Sequence, residues 1–381
     1  MHDRRQSDAK LTRRTLVAGA AAGTLALSSD PAAAQRCPAT PAARTKGPLV
    51  WLDLDQQELD DAYDQDVYAF NSRNISERMQ ANNEKALSII GKPERVAYGQ
   101  ADIEMVDIYR TKRPNAPVLV FIHGGAWRGG RSANFTLYAE PFIKAGANFV
   151  AVDFNNVLET KGDLFPMVDQ CRRAVALVYR NAASFGADPN AIYLISRSSG
   201  SHLSGCVLIT EWEKQGLPRD IIKGAVLGSG MYDLKPVRLS KRANYVKFTD
   251  AMEQELSAQR YLDRIHTPLT LVHGTLETPE FQRQTRDFAA ALKAAGKPVQ
   301  LIVGRGYNHP EVGVDRPSLR PHGPRRAGGD EAELNDGVDQ GERKSHAARC
   351  LCEPSKAGAT SRMKRSISSF TCACGFMPTL K

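Results

Sequence analysis

The residues best suited to chemistry are the run Ser196-Arg197-Ser198-Ser199-Gly200-Ser201-His202, which follows the apolar stretch Ala191-Ile192-Tyr193-Leu194-Ile195. A β-branched, aromatic-containing run reads as a buried strand, and the small residues behind it read as a sharp turn into a helix. A strand–turn–helix of this kind can lift one serine hydroxyl above a sheet edge, usually with the signature G-x-S-x-G. Gly200 supplies the second glycine, whereas Ser196 stands where the first is expected. A serine hydroxyl becomes a useful nucleophile only when a neighbouring base takes its proton. Ser198 is the candidate nucleophile, because it alone has Gly200 two positions later at strand-end spacing. Ser196, Ser199 and Ser201 compete by type but not by place, and a serine ahead of a helix can also be a plain N-cap.

Acyl transfer also needs donors for a developing oxyanion, a base and an acid to orient that base. His123-Gly124-Gly125-Ala126-Trp127 directly follows the apolar run Pro117–Ile122. Its paired glycines allow backbone N–H groups to approach an anionic oxygen. Gly124 and Gly125 are therefore candidate oxyanion-hole residues. His309, in Gly306-Tyr307-Asn308-His309 after the last expected strand, is the candidate base. His202 is expected to support the turn, His123 to orient the glycine loop and His273 to pack at a strand end. The orienting acid should lie between Ser198 and His309. Glu277, in His273-Gly274-Thr275-Leu276-Glu277-Thr278-Pro279, is the candidate, with Asp233 as the alternative. Trp127 and Arg197 are candidate substrate-binding residues. No histidine pair has helical metal-ligand spacing with a carboxylate, so no metal site is expected.

These groups need a scaffold that brings strand ends together. Residues 51–92 are polar and helix-prone. Strands are expected at Glu94–Tyr98, Ile103–Tyr109, Pro117–Ile122, Asn148–Asp153, Ala191–Ile195, Lys223–Leu227, Pro268–Val272 and Val299–Val303. Helices are expected at Asp169–Phe185, after Ser198, and at Glu280–Ala295. Strands alternating with helices imply an α/β fold with a mostly parallel central sheet and helices on both faces. Sites in such sheets gather at the carboxyl ends of the strands. Met231–His266 breaks the alternation and is expected to form a small lid.

From about Val50 to Val312 the chain resembles an α/β-hydrolase of the H-G-G-x-W group, similar to kynurenine formamidases (arylformamidases) and related carboxylesterases. The resemblance is carried by His123-Gly124-Gly125-Ala126-Trp127 and Gly274-Thr275-Leu276-Glu277-Thr278-Pro279, and the chain order Ser, acid, His fits it. It implies an α/β-hydrolase fold, a Ser198–His309–Glu277 triad, an oxyanion hole from the amides of Gly125 and Ser199 helped by Gly124 or Ala126, an acyl-enzyme, and hydrolysis of small esters or aryl formamides with no cofactor. A hydrolase-fold binding protein with impaired catalysis is the alternative. Two features depart from the group. Its turn usually reads close to G-H-S-x-G-G-H-L, where this chain has Ser196, Arg197 and Ser201. The group also usually ends with a helix packed on the sheet after the catalytic histidine, and none is recognisable from Arg316 onward. The break in composition near Val314 suggests a change of reading frame, which the gene's other frames would test.

The expected organisation is a twin-arginine signal over 1–34, a helical extension over 35–92, the hydrolase domain over 93–315 with its lid at about 231–266, and a tail over 316–381 expected to be disordered or aberrant. The signal rests on Thr12-Arg13-Arg14-Thr15-Leu16-Val17, a short apolar run to Leu27 and the small residues Ala32-Ala33-Ala34, and implies export to a bacterial periplasm. That apolar run is too short to span a bilayer stably, and no other stretch approaches the length. Of the net charge of +9, the 34 basic and 32 acidic residues of segment 35–315 account for +2. With the basic excess at the ends, no nucleic-acid partner is expected, only a small-molecule ester or amide. Nothing in the composition sets an oligomeric state. Cys350-x-Cys352 and Cys372-x-Cys374 lack the usual zinc spacing, and Cys171 and Cys206 read as small core residues.

Overall fold

The computed structural model describes residues 44–312. The expected export signal, Cys37, and the tail with its four cysteines lie outside the described residues.

Eight strands form the central sheet: β1 (Glu94–Ala97), β2 (Met105–Tyr109), β3 (Ala116–Ile122), β4 (Asn148–Val152), β5 (Ala187–Arg197), β6 (Gly224–Gly228), β7 (Leu269–Gly274) and β8 (Val299–Gly304). Their spatial order is 1-2-4-3-5-6-7-8. Only β2 runs against its neighbours, β1 and β4; every other adjacent pair is parallel. The fold is that of an α/β-hydrolase. Every residue of β3 and β4 is buried, as expected for apolar strands covered on both faces. The outermost strand β8 instead leaves Leu301 and Val303 each 38% exposed.

Sequence and structure differ mainly at boundaries. The helix expected from Asp169 begins at Phe165, where Pro166 fits a first turn that needs no amide donor, and ends in a 3₁₀ turn over Ala182–Phe185. β5 is longer than the apolar run that announced it, because parallel pairing to β3 and β6 continues through Ser196. Between β6 and β7 the expected lid consists of short helices, Lys235–Leu239 and Asp250–Glu255, joined by 3₁₀ turns. The N-terminal extension is helical at Gln56–Ala62, Gln65–Tyr68 and Ser72–Ile90. The first of these opens on a capping box: the Asp55 carboxylate accepts from the Glu58 amide, and Glu58 accepts from the Asp55 amide, both at 3.0 Å. From Gly47 these helices belong to the same compact unit as the sheet. No described helix is long and apolar enough to cross a membrane.

Candidate active site

Five adjacent strands, in the order 3-5-6-7-8, deliver the site from their carboxyl ends. β3 is followed by the glycine loop, β5 by Ser198, β6 by Ser229, β7 by Glu277 and β8 by His309.

Ser198 has φ +55° and ψ −132°, a conformation that costs a non-glycine residue energy and that tight packing must hold. It sits at the N-cap of helix Ser199–Leu208, yet its side chain does not cap that helix. The plain N-cap reading therefore fails, and the hydroxyl is not spent on helix ends. Gly200 is obligatory, since a Cβ there would lie 2.2 Å from the Ile122 carbonyl oxygen and 2.5 Å from that of His123. The first glycine of the usual signature is dispensable. Ser196 and Ser201 hydroxyls lie 3.2 Å apart, and Ser201 donates to the Gly228 carbonyl at 2.9 Å. The two departures at 196 and 201 thus satisfy each other.

Glu277 and His309 come together although 32 residues separate them: His309 Nδ1 lies 2.7 Å from Glu277 Oε2. Glu277 is 2% exposed. Its other oxygen accepts from the Ser229 hydroxyl at 2.6 Å and from the Gly274 amide at 2.5 Å. Burial alone would raise the Glu277 pKa, but the bonds from His309, Ser229 and Gly274 leave it lowered, so the carboxylate stays ionised. Burial also lowers the His309 pKa; Glu277 opposes this, and the charges of Arg197 and Arg242 reinforce it. At neutral pH the imidazole is uncharged, with Nδ1 donating to Glu277 and Nε2 free of its proton, as a base requires. Backbone contacts hold the two loops in register. Leu276 donates to the Tyr307 carbonyl at 3.0 Å and Thr275 to that of Gly304 at 2.9 Å. A Cβ on Gly274 would meet the Tyr307 oxygen at 2.1 Å, which explains the glycine. Thr278 then caps helix Pro279–Ala294, whose Phe281 ring packs 4.6 Å from His309.

The glycine loop lies against the turn that carries Ser198. A Cβ on Gly124 would sit 2.8 Å from the Arg197 carbonyl oxygen and 3.0 Å from Ser198 Cβ. Gly125, Ala126 and Trp127 all have positive φ, which for the latter two is a strained conformation that the packing must hold. The Trp127 amide donates to Ser199 Oγ at 3.1 Å and is occupied. Among the described residues the amides of Gly125 and Ala126 have no acceptor. Ser199, first in its helix, has no intrahelical acceptor for its own amide. His123 is stacked 4.2 Å from Phe154 with Nδ1 on the Gly124 carbonyl. His202 accepts from the Trp127 indole at 3.2 Å through Nδ1 and donates through Nε2 to the Leu256 carbonyl at 3.0 Å. Both histidines are structural supports of the loop, and His273 is buried at the end of β7.

Asp233, the alternative acid, pairs with Arg260 at 3.3 Å and caps the Lys235 amide; Glu277 holds His309 instead. Arg197 donates to the His309 backbone carbonyl at 3.0 Å. Trp127, expected to touch substrate, is 2% exposed with its indole N–H committed to His202, so it is a buried support of the loop and offers a ligand no polar contact. Sequence reasoning missed Ser229, whose only signal was its place directly after β6. It also missed Asn71, which accepts from Asn308 at 2.6 Å and donates to Glu311 at 3.1 Å, bracing the His309 loop from the N-terminal extension. Arg242 was missed too; it sits on the lid segment beside Trp127.

The BD-FAE family model matches residues 106–226, which span the glycine loop and the Ser198 turn. The chain is 30% identical over 230 residues to kynurenine formamidase of Danio rerio, an alignment covering 58% of this chain and 76% of that protein. The chain belongs to the α/β-hydrolase family that includes kynurenine formamidase. It is thus an enzyme, a hydrolase of ester or amide substrates. This hydrolase is also 26% identical over 246 residues to the isoprenylcysteine alpha-carbonyl methylesterase of Arabidopsis thaliana, across 58% of this chain and 57% of that one. Among solved structures, a protein described as a thioesterase from Silicibacter sp. superposes with TM-score 0.59 at 22% identity, covering 70% of the hydrolase and 96% of that chain. Thermogutta terrifontis esterase 2 superposes at 0.50 with 23% identity, covering 58% and 85%. At these identities the two structures speak to the fold.

Proposed function

We propose that the protein is a serine hydrolase of small carboxylic esters or aryl formamides, working through a Ser198–His309–Glu277 triad and an acyl-enzyme. The observation that carries this reading is the 2.7 Å bond between His309 Nδ1 and a buried Glu277, together with a serine held at positive φ that caps nothing and whose neighbour Arg197 donates to the His309 carbonyl. Ser198 Oγ attacks the carbonyl carbon and its proton passes to His309 Nε2. Glu277 keeps the Nδ1 proton in place and stabilises the imidazolium. The carbonyl oxygen takes up negative charge and is met by the amides of Gly125, Ala126 and Ser199, with Gly124 allowing the close approach. His309 then protonates the departing alkoxide or amine. Water, deprotonated by the same imidazole, releases the carboxylic acid, or formate from a formamide. No cofactor enters this sequence.

Turnover of 4-nitrophenyl acetate tests the mechanism. Ser198→Ala is expected to lower kcat by at least about a thousandfold and to abolish labelling by a fluorophosphonate probe. Undiminished turnover would exclude it, and an unlabelled native enzyme would favour a binding protein. Comparing N-formylkynurenine with short-chain esters sets the substrate class, since the relatives include both a formamidase and a methylesterase. The twin-arginine pattern at Thr12–Val17 supports export to the periplasm, which fractionation of a native host tests.

A further inference from the structure

Arg242 is 5% exposed, and none of the described carboxylates forms an ion pair with it. Its guanidinium donates to the Tyr245 hydroxyl at 2.7 Å and to the Tyr63 carbonyl at 3.0 Å, while its Nε is buried with no partner. A guanidinium carries five N–H donors, so most of this fork is unspent. Asp64, an acid whose pKa its charge helps to lower, is bound by Lys241 and by the Asp66 amide. Around the guanidinium stand three rings, Tyr63, Trp127 and Phe281, with centroids 5.9, 5.7 and 5.8 Å from its carbon. Ring faces offset part of the lost hydration but do not replace a counter-ion.

The placement of this cation is specific. Trp127 ends the H-G-G-x-W loop, and Phe281 packs 4.6 Å from the His309 ring. Arg242 therefore touches the H-G-G-x-W loop through Trp127 and is one ring away from His309 through Phe281. A fork of N–H groups with a fixed positive charge matches a carboxylate, which accepts two parallel bonds.

We propose that Arg242 is a specificity residue that binds a carboxylate on the substrate, so that the preferred ester or formamide is an acid rather than a neutral molecule. This rests on the serine-hydrolase reading and narrows it. The carboxylate belongs either to the acyl part or to the leaving group.

Two matched pairs test it. On the acyl side, mono-4-nitrophenyl succinate is set against 4-nitrophenyl 4-methylpentanoate, similar in shape but uncharged. On the leaving-group side, 4-acetoxybenzoate is set against its methyl ester. In at least one pair the unmutated enzyme should favour the acid at least tenfold in kcat/KM, mostly through KM. Arg242→Gln should cut that acid-to-neutral ratio at least tenfold, and Arg242→Lys should restore part of it. A merely structural arginine would lower both members of a pair together, leaving the ratio unmoved; that result overturns the proposal. Should the glutamine variant not fold, calorimetric binding of benzoate against benzamide to the unmutated enzyme decides. A tenfold preference for benzoate supports the proposal, and equal binding refutes it. Ser198-dependent hydrolysis of the neutral esters with no acid preference would sink the role of Arg242 and leave the serine-hydrolase reading standing. Loss of all Ser198-dependent turnover would sink that reading instead.

Discussion

The Arg197 side chain, next to Ser198 in sequence, donates to the backbone carbonyl of His309 at 3.0 Å. The residue that departs from the family's usual histidine at this position is thereby a brace for His309 and a positive charge beside it. Both effects bear on catalysis. The charge lowers the His309 pKa, adding to burial. Activity should rise as His309 loses its proton, at a pH below the ordinary imidazole value of about 6.5, and be level at neutral pH. Arg197→Met removes the charge, so the acidic limb of the kcat/KM profile should move to higher pH. A limb that stays in place, measured with 4-nitrophenyl acetate between pH 4.5 and 8, would show that the arginine does not act on His309 electrostatically.

Glu277 accepts from Ser229 and Gly274 through one oxygen and faces His309 with the other. In Glu277→Gln the oxygen is kept by the two donors, so the amide NH₂ turns to His309 Nδ1. That traps the imidazole with its proton on Nε2, facing the wrong way for a base. The expected loss is about 10³- to 10⁴-fold in kcat with little change in thermal stability. A loss under tenfold would argue that another group orients the histidine.

Gly200 and Ser196 should respond oppositely to substitution. A Cβ at Gly200 meets backbone oxygens of Ile122 and His123 that cannot step aside. Gly200→Ala should therefore cost about 3 kcal/mol and abolish turnover. Ser196→Gly restores the family pattern but removes the bond to Ser201, which keeps its link to Gly228. Its stability should change by no more than about 1 kcal/mol, with activity within about threefold. Denaturant melts and ester assays of the pair check both; equal tolerance at the two positions would contradict the packing described.

Two buried histidines tie stability to pH. Burial lowers both His123 and His202 to a pKa of about 4. In the unfolded chain each titrates near 6.5, so between those values the unfolded state binds protons that the native state refuses. Stability is therefore full above about pH 6.5 and falls as the pH drops toward 4, by roughly 3 kcal/mol for each histidine. That is a large share of a typical domain margin of about 5–15 kcal/mol. Thermal melts across pH 4–8 should show a level Tm above neutrality and a steep decline below 6.5. A Tm unchanged down to pH 4.5 would mean that these rings are protonated in the native state.

Much of the site was legible because its parts sit at strand ends, and a strand end can be read from a local run of residues. Ala191–Ile195 announced the turn at Ser198, Pro117–Ile122 the glycine loop, and the Val299 run the loop of His309. Glu277 and Asp233 both follow expected strands, and only the contact with His309 separates them. Contacts made across the fold left no such trace. Asn71 braces the His309 loop from 237 residues away through Asn308, Ser229 holds Glu277 from the neighbouring strand end, and Arg242 reaches Trp127 from the segment between β6 and β7.

The sequence by itself determined the order of the strands along the chain, the carboxyl-end positions of Ser198, Glu277 and His309, and the glycines that let backbones touch. Apolar periodicity and glycine placement are local properties, and they survive without knowledge of neighbours. Only the tertiary structure decided that Ser196 is a fitting substitute for glycine, that Arg197 braces the His309 carbonyl, and that Arg242 is a buried cation with no described carboxylate paired to it. Each of those depends on what lies across a gap in the folded chain, where distance and burial, not spacing along the backbone, set the energy of a charge or a hydroxyl.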